Sequence, residues 1–266
     1  LVFQEHEDPP TPRREIYGSR LLETAREESG LFVYNAYQSA LDRPVRVDLF
    51  AAEQVPSGEL LETVKSAVDS ASELKHDLID GVVTSDFSDS SKSYLVQRSH
   101  GGVPLGNQLE DLLAEPLEAR LQLVSQLLTI TLEKCRVAPG ICGPLSLDQF
   151  CLHPAADGRK SLSASALELP TLLSTRSGSL CHLPAYTNYL PPEFCAEENG
   201  EPAMPDKSMA YSAAAVSYLL LTGTPVMGEG DAREILRKHQ ELKPAPASLI
   251  NSDIPEELSD LLSQML

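Results

Sequence analysis

Positive charge is scarce in this chain. The 266 residues carry 21 Lys plus Arg against 39 Asp plus Glu, which gives a formal net charge of −18. A surface of this sign repels phosphate backbones and anionic lipid, so nucleic acid and membrane surfaces are poor partner candidates. A protein partner with a basic or mixed surface is the better expectation, and its association should weaken with salt.

Cysteines are few, and their spacing does not suggest a metal site. There are five, an odd number, and no two of them form a C-x-x-C pair. Because a zinc site needs closely spaced ligands, neither a metal nor another cofactor is predicted. Free thiols suggest a reducing compartment, so a cytoplasmic location is expected. A soluble domain of a larger or membrane-anchored protein remains compatible with this composition.

Long apolar runs are also missing. Residues 1–3 are too short for the apolar core of a signal peptide, and acidic residues follow them directly. The longest mostly apolar run, residues 213–221, is far shorter than the ~20 residues that a membrane span requires. The sequence also lacks G-x-S-x-G, H-E-x-x-H and a Walker loop, so hydrolase and P-loop chemistry have no support.

The first third of the chain alternates between strand and helix patterns. Val45, Val47 and Leu49 alternate with polar residues, as in a half-buried strand. Apolar residues recur at helical spacing after Ser57, which we expect to cap the helix. The predicted elements are strands at 31–37 and 44–50, a helix at 57–75, and strands at 81–83 and 93–97.

The remainder of the chain is mostly helical in pattern. Helices are predicted at 116–132, 209–221, 229–240 and 255–266, with short strands and turns between 139 and 182. This order predicts an α+β protein of two lobes. Residues 1–15 form a polar leader or linker, residues 16–98 a β-rich lobe with one helix, and residues 99–266 a larger helical lobe.

Local sequences late in the chain resemble the eukaryotic-like Ser/Thr protein kinases found in bacteria. Tyr189-Leu190-Pro191-Pro192-Glu193 is similar to the motif that closes that family's activation segment. Residues 210–225 are similar to its buried central helix, which ends in L-L-T-G-x-P. The resemblance implies a two-lobed protein-kinase-like fold, truncated at its C-terminal end. Pro192 and Glu193 would then have a structural role.

The same resemblance implies that the nucleotide-binding positions of the first lobe are degenerate. The glycine-rich phosphate loop falls on residues 26–33, where Arg26, Glu28 and Leu31 replace its three glycines. Acidic residues there would face a polyphosphate with the wrong sign of charge. The strand lysine that pairs with the phosphates becomes Asp48, and the small alanine before it becomes Arg46. An Arg46–Asp48 pair would close the space that adenine occupies.

The catalytic positions are replaced as well. The helix glutamate becomes Ala67, with Glu62 as the alternative if the helix register differs. The catalytic base becomes Pro144, or Leu145 after a shift of one residue, and neither residue titrates. The metal-binding asparagine becomes Gln149.

Two further features complete the expected site. The metal-binding aspartate of the family becomes Ala164, and Asp148 is expected to lie in an exposed turn. The histidines are scattered, with no carboxylate paired to them in sequence, so they are expected at the surface or in caps.

These losses predict a pseudokinase: a catalytically inactive scaffold or allosteric regulator in signalling that works through protein binding. The alternatives are a nucleotide- or small-ligand-binding sensor with a modified cleft, and an unrelated α+β interaction domain. Homo-oligomerisation remains open. A structure with a sheet and one helix in the first lobe distinguishes the third possibility from the other two.

Overall fold

The structure is a computed structural model that describes residues 15–28, 30–51, 54–88, 93–155, 158–177, 180–194 and 205–266. All but the last residue of the predicted leader, 1–15, lies outside these ranges. Glu15 instead begins the first strand. Within the described residues, no helix is long and apolar enough to cross a membrane.

The first lobe is built on an antiparallel sheet. Its six strands are β1 (Glu15–Ile16), β2 (Ser19–Glu28), β3 (Leu31–Gln38), β4 (Arg43–Phe50), β6 (Val82–Asp86) and β7 (Tyr94–Arg98). They lie in the order β1-β2-β3-β4-β7-β6. Strand β5 (Ile79–Asp80) precedes β6 in the chain but belongs to a second sheet.

Strand β2 is the longest element that was not predicted from the sequence. It contains mostly polar and charged residues, so it lacks the alternation that predicts a half-buried strand. It forms because β3 pairs with it along nearly its whole length, with two register shifts. Tertiary pairing therefore determines this strand where local pattern does not.

One helix packs against the first lobe's sheet. α1 (Gly58–Ser72) buries Val64, Ala67, Val68 and Ala71 on one face, as the helical spacing of its apolar residues predicts. Ser57 occupies the N-cap position in an extended conformation, but its side chain makes no capping hydrogen bond to the described residues. The expected Ser57 cap is therefore wrong in its chemistry, although right in its position.

The second lobe combines seven helices with a small sheet among the described residues. The sheet contains β5, β8 (Val103–Pro104), β9 (Phe150–Pro154) and β10 (Lys160–Ser165). Their order is β5-β10-β9-β8, and β5 runs parallel to β10, so the chain before β6 contributes to this lobe. The helices are α2 (Leu109–Leu113), α3 (Leu117–Val137), α4 (Leu169–Arg176), α5 (Pro205–Thr222), α6 (Ala232–Glu241), α7 (Ala247–Ile250) and α8 (Glu256–Met265).

The core of this lobe is formed around α5, which packs against α3 and α8. Residues 213–216 of α5 are almost completely inaccessible, which fits the lack of a polar face in its sequence. The four predicted helices are present as α3, α5, α6 and α8 with shifted ends. α2, α4 and α7 are too short for periodicity to reveal. The α+β, two-lobed fold class is thus confirmed, while the exact lobe boundary at residue 98 stays a prediction.

Candidate functional site

The predicted phosphate loop is a β-hairpin turn between β2 and β3. The backbone of Arg26 pairs with Val33 and that of Glu28 with Leu31, so the two strands remain paired up to Glu28 and Leu31. Leu31 is completely buried in the core. Gly30 has a φ of +74°, and a Cβ atom there would clash with the side chain of Gln54. This turn therefore folds against the chain after β4.

Arg46 connects the two lobes. Alternation along β4 puts its side chain on the same face as Asp48, and Arg46 Nε donates a hydrogen bond of 2.7 Å to Asp48 Oδ1. The guanidinium also reaches the segment after β10, where Nη1 donates to Ser165 Oγ at 2.8 Å and to the carboxylate of Glu168. We call Arg46, Asp48 and Glu168 the ionic cluster.

The ionic cluster is almost entirely removed from water. The exposed fractions of the side chains are 14% for Arg46, 0% for Asp48 and 6% for Glu168. Burial alone would lower the pKa of Arg46, but the charges of Asp48 and Glu168 outweigh it and raise that pKa. The guanidinium is therefore permanently charged and fixed between two carboxylates. The Arg46–Asp48 pair anticipated from strand alternation is present.

The helix position opposite this strand carries no charge. Ala67 faces the core and is only 5% exposed. Glu62, the alternative, points to solvent and pairs with Lys65 at 3.0 Å on the same helix. The inward-facing residue at this level of α1 is therefore the alanine.

The turn at residues 142–149, which the sequence resemblance aligned with the catalytic loop, is held by a network of uncharged side chains. We call it the catalytic-loop turn. Gln149 is buried, and its Nε2 donates to Thr171 Oγ1 at 2.8 Å and to Tyr186 Oη at 3.2 Å. The two hydroxyls of Thr171 and Tyr186 are 2.6 Å apart. We call these three residues the neutral network. It ties the turn to α4 and to the segment that precedes the Pro192-Glu193 motif.

The other residues of this turn that the sequence resemblance singled out differ in their exposure. Pro144 is buried, and its carbonyl oxygen lies 3.4 Å from Gln149 Nε2. Leu145 is 3% exposed and belongs to the core. Asp148 lies in an exposed 3₁₀ turn, where the sequence analysis expected it.

The predicted metal-binding position lies inside a strand. Ala164 is in β10, pairs with Ile79 and Phe150, and is buried in the core. The side chains that face the space between β4 and α4 come later in the chain, at Ser165 and Glu168. Gln97 of β7 fixes the segment between them because its amide accepts from the Leu167 N–H at 2.9 Å and donates to the Leu167 carbonyl at 2.8 Å.

Glu168 is the functional candidate that the sequence analysis overlooked. The acidic residue of this segment is a glutamate that lies four residues beyond Ala164, whereas the family motif has an aspartate at the position of Ala164. The available signal was an acidic residue among small and apolar ones, since an isolated charge in such a setting is buried only when it is paired.

Pro192 and Glu193 lie in a 3₁₀ turn, Pro192–Phe194. Glu193 Oε1 accepts a hydrogen bond of 2.8 Å from Ser208 Oγ at the start of α5. This contact fixes the end of the segment to the central helix of the second lobe. It agrees with a structural role for the motif.

The histidines are less uniformly superficial than the sequence suggested. His76 accepts a hydrogen bond from the Leu78 N–H, as a capping residue does. His100 is exposed, as expected of a surface histidine, and it pairs with Asp80, a partner that the sequence did not indicate. His239 is buried against Tyr211, whose Oη is 2.7 Å from its Nδ1, because α6 packs over α5 there.

A cavity of about 260 Å³ opens beside the catalytic-loop turn. Glu168 of the ionic cluster and Gln149 and Thr171 of the neutral network line it, together with Lys134 of α3. Cys142 also lines it, and its Sγ lies 3.5 Å from Cys135 Sγ. Within the described ranges, no group of three His, Cys, Asp or Glu side chains is arranged to hold a metal ion.

The curled antiparallel sheet with one helix, followed by a helical lobe, defines a protein-kinase-like fold. The chain is similar to the crystal structure of the Mycobacterium tuberculosis PknI kinase domain, in the form of a double mutant. The TM-score is 0.62 at 14% sequence identity, over 95% of this chain and 88% of that one. At this identity the likeness shows the fold alone. No protein-family model and no curated protein matches the sequence.

Proposed function

We propose that this domain is a catalytically inactive pseudokinase that acts as a protein-interaction scaffold or allosteric regulator. The observation that carries the proposal is the ionic cluster. Phosphoryl transfer requires a cation on the nucleotide phosphates and carboxylates free to hold Mg²⁺. Here the cation next to the cleft, Arg46, is itself bound by Asp48 and Glu168.

The second support is the absence of a titratable group where a base is needed. Pro144 and Leu145 cannot accept a proton, and loss of a general base alone costs about 10²- to 10⁴-fold in rate. Gln149 is engaged with Thr171 and Tyr186. A group already committed to a buried hydrogen-bond network is a poor metal ligand.

The test of inactivity is a phosphotransfer assay with labelled ATP and either Mg²⁺ or Mn²⁺, with wild type beside Glu168→Gln and Asp148→Asn. Glu168 is the one carboxylate that lines the cavity, and Asp148 is the exposed acid of the turn. We expect no incorporation above a heat-inactivated control in any protein. Metal-dependent incorporation by wild type that either variant abolishes would refute the proposal.

The exposed face of α1 is the interaction surface that charge favours. Together with the C-cap residue Glu73 it carries Glu59, Glu62 and Asp69, against Lys65 within the helix and Lys75 just beyond it, and so fits a basic partner surface. Reversal to lysine at Glu59, Asp69 and Glu73 should abolish capture of a partner identified from the native cell and retested in purified form. The matched control reverses three exposed acids of α8, Glu256, Glu257 and Asp260, for the same change in charge on the other lobe.

Equal capture by wild type, the α1 variant and the α8 variant would exclude α1 as the interaction surface. Light scattering on the purified protein adds the second arm of this test. A dimer that the α1 reversals dissociate would identify a second copy of the chain as the partner.

A further inference from the structure

The cavity beside the catalytic-loop turn has a composition that neither the ionic cluster nor the neutral network explains. It lies between the end of α3, the turn at 140–145, α4 and the start of α5. Apolar side chains from three of these elements line part of it: Ile141, Leu172 and Met209. The lining also includes the polar side chains of Lys134, Thr175 and Arg176, beside further apolar residues such as Leu145 and Ala166.

Lys134 is the unusual member of this lining. It is 4% exposed, and its ammonium makes no hydrogen bond or ion pair with any residue that the structure describes. Burial lowers its pKa, while the charge of Glu168 opposes that effect. A buried lysine without a partner is costly, so such a residue usually has a counterion or ligand.

A second polar group in the cavity lining also lacks a partner among the described residues. Thr175 Oγ1 is buried and has no hydrogen-bond partner in the described part of the protein. Because Lys134 and Thr175 line one cavity from α3 and α4, a single bound group with several acceptor oxygens could satisfy both.

The charge at the cavity favours an anion beside Lys134. Glu168, which also lines the cavity, is already bound by Arg46. The low dielectric of a buried site strengthens the attraction between Lys134 and a bound anion.

We propose that this cavity binds a small organic anion, with one carboxylate or phosphate group held by Lys134 and Thr175. Its short carbon skeleton contacts Ile141, Leu172 and Met209. A volume of about 260 Å³ lies below the ~300–1,000 Å³ of sites for drug-sized ligands, so a whole nucleotide is too large. The proposal goes beyond the pseudokinase function and does not depend on it.

The test uses the whole protein with inorganic phosphate and with malonate as probes, at constant ionic strength. Malonamide serves as the uncharged analogue of malonate. Calorimetry should give saturable binding, and a tenfold excess of probe over its Kd should raise the Tm by about 3–5 °C. Malonamide should leave the Tm unchanged.

Two variants locate the binding. Lys134→Met should raise the Tm of the free protein, since it removes a buried unpaired charge, and should abolish the shift with either anion. Thr175→Val should weaken binding about 3- to 10-fold through the loss of one hydrogen bond. Lys65→Met, which removes an exposed lysine of α1, is the control and should bind like wild type.

Alkylation of Cys142 by iodoacetamide in wild type gives a readout that needs no variant. Cys142 lines the cavity, whereas Cys151 and Cys181 do not. A saturating anion should slow alkylation of Cys142 several-fold and leave the other two thiols unchanged. Failure of both anions to bind wild type, an undiminished shift in Lys134→Met, or an unprotected Cys142 would each overturn the proposal.

Discussion

The ionic cluster and the neutral network occupy neighbouring parts of the same cleft. Both satisfy buried polar side chains, the first through paired charges and the second through hydrogen bonds between uncharged groups. Arg46, Asp48 and Glu168 are buried charges that join β4 to the segment before α4. Gln149 and its two hydroxyl partners, Thr171 and Tyr186, are buried but uncharged, and they join the catalytic-loop turn to α4 and the following segment.

The difference between them indicates where the protein needs specificity and where it needs only satisfied polar groups. A buried ion pair gains little net stability because desolvation offsets its attraction, but removal of one partner is severe. A neutral hydrogen bond is worth about 0.5–1.5 kcal/mol, and its loss is milder. We infer that the ionic cluster sets the relation between the lobes, whereas the neutral network holds a local segment.

The largest expected effect comes from Arg46→Met. It leaves Asp48 and Glu168 buried without their cation, so the free energy of unfolding should fall by about 3–5 kcal/mol in urea denaturation. The matched control replaces all three members, as Arg46→Met, Asp48→Leu and Glu168→Leu together. It should cost much less than Arg46→Met alone, because no charge is left unpaired. A triple variant less stable than the single one would contradict this account.

The comparison of charged with uncharged buried groups can also be tested outside the cleft, at His239, whose charge depends on pH. His239 is packed against Tyr211, and burial lowers its pKa to about 4. In the unfolded chain histidine titrates near 6.5, so the unfolded state binds a proton first as the pH falls. Stability should therefore decrease by about 3 kcal/mol between pH 6.5 and 4 from this residue alone.

The measurement is urea denaturation of wild type and His239→Gln at pH 7, 6, 5 and 4. Carboxylates titrate in both proteins, so the difference between the two curves isolates the histidine. The variant should lose less stability than wild type over the acid range. Parallel curves would show that His239 is not buried as a neutral ring.

The two regions also differ in how far the sequence could reveal them. Alternation along β4 placed Arg46 and Asp48 on one face because the period of a strand is two, whatever the tertiary context. The third member, Glu168, is 120 residues away from Asp48 in the sequence, and only the fold brings them together. Sequence reasoning therefore found the local half of the ionic cluster and missed the long-range half.

Some buried or paired polar residues were also not predicted from the sequence. Lys134 continues the inward stripe of Val124, Leu127 and Thr131 on α3, and this spacing was the signal that it faces inward. A lysine in such a stripe is ordinarily assigned to the surface. In the same way, His100 and Asp80 meet only because β5 joins the second sheet. Lobe architecture and helix faces followed from periodicity, whereas these contacts depend on topology.

The smallest expected effect comes from the neutral network, through Gln149→Leu. The change removes the hydrogen bonds of Gln149 Nε2 to Thr171, Tyr186 and the Pro144 carbonyl, but Thr171 and Tyr186 still bond to each other across 2.6 Å. Because neither hydroxyl is left without a partner, the cost should stay at about 1–2 kcal/mol, well below that of Arg46→Met.

Gln149→Glu provides the sharper control, since it keeps the shape and places a carboxylate in the same buried position. If neutrality is what this site requires, Gln149→Glu should be less stable than Gln149→Leu at pH 7, and the gap should close as the pH falls and the carboxyl becomes protonated. Urea denaturation of both variants at pH 7 and pH 4.5 measures this. If Gln149→Glu is as stable as Gln149→Leu at pH 7, the site accepts a charge. The contrast with the ionic cluster would then lose its physical basis.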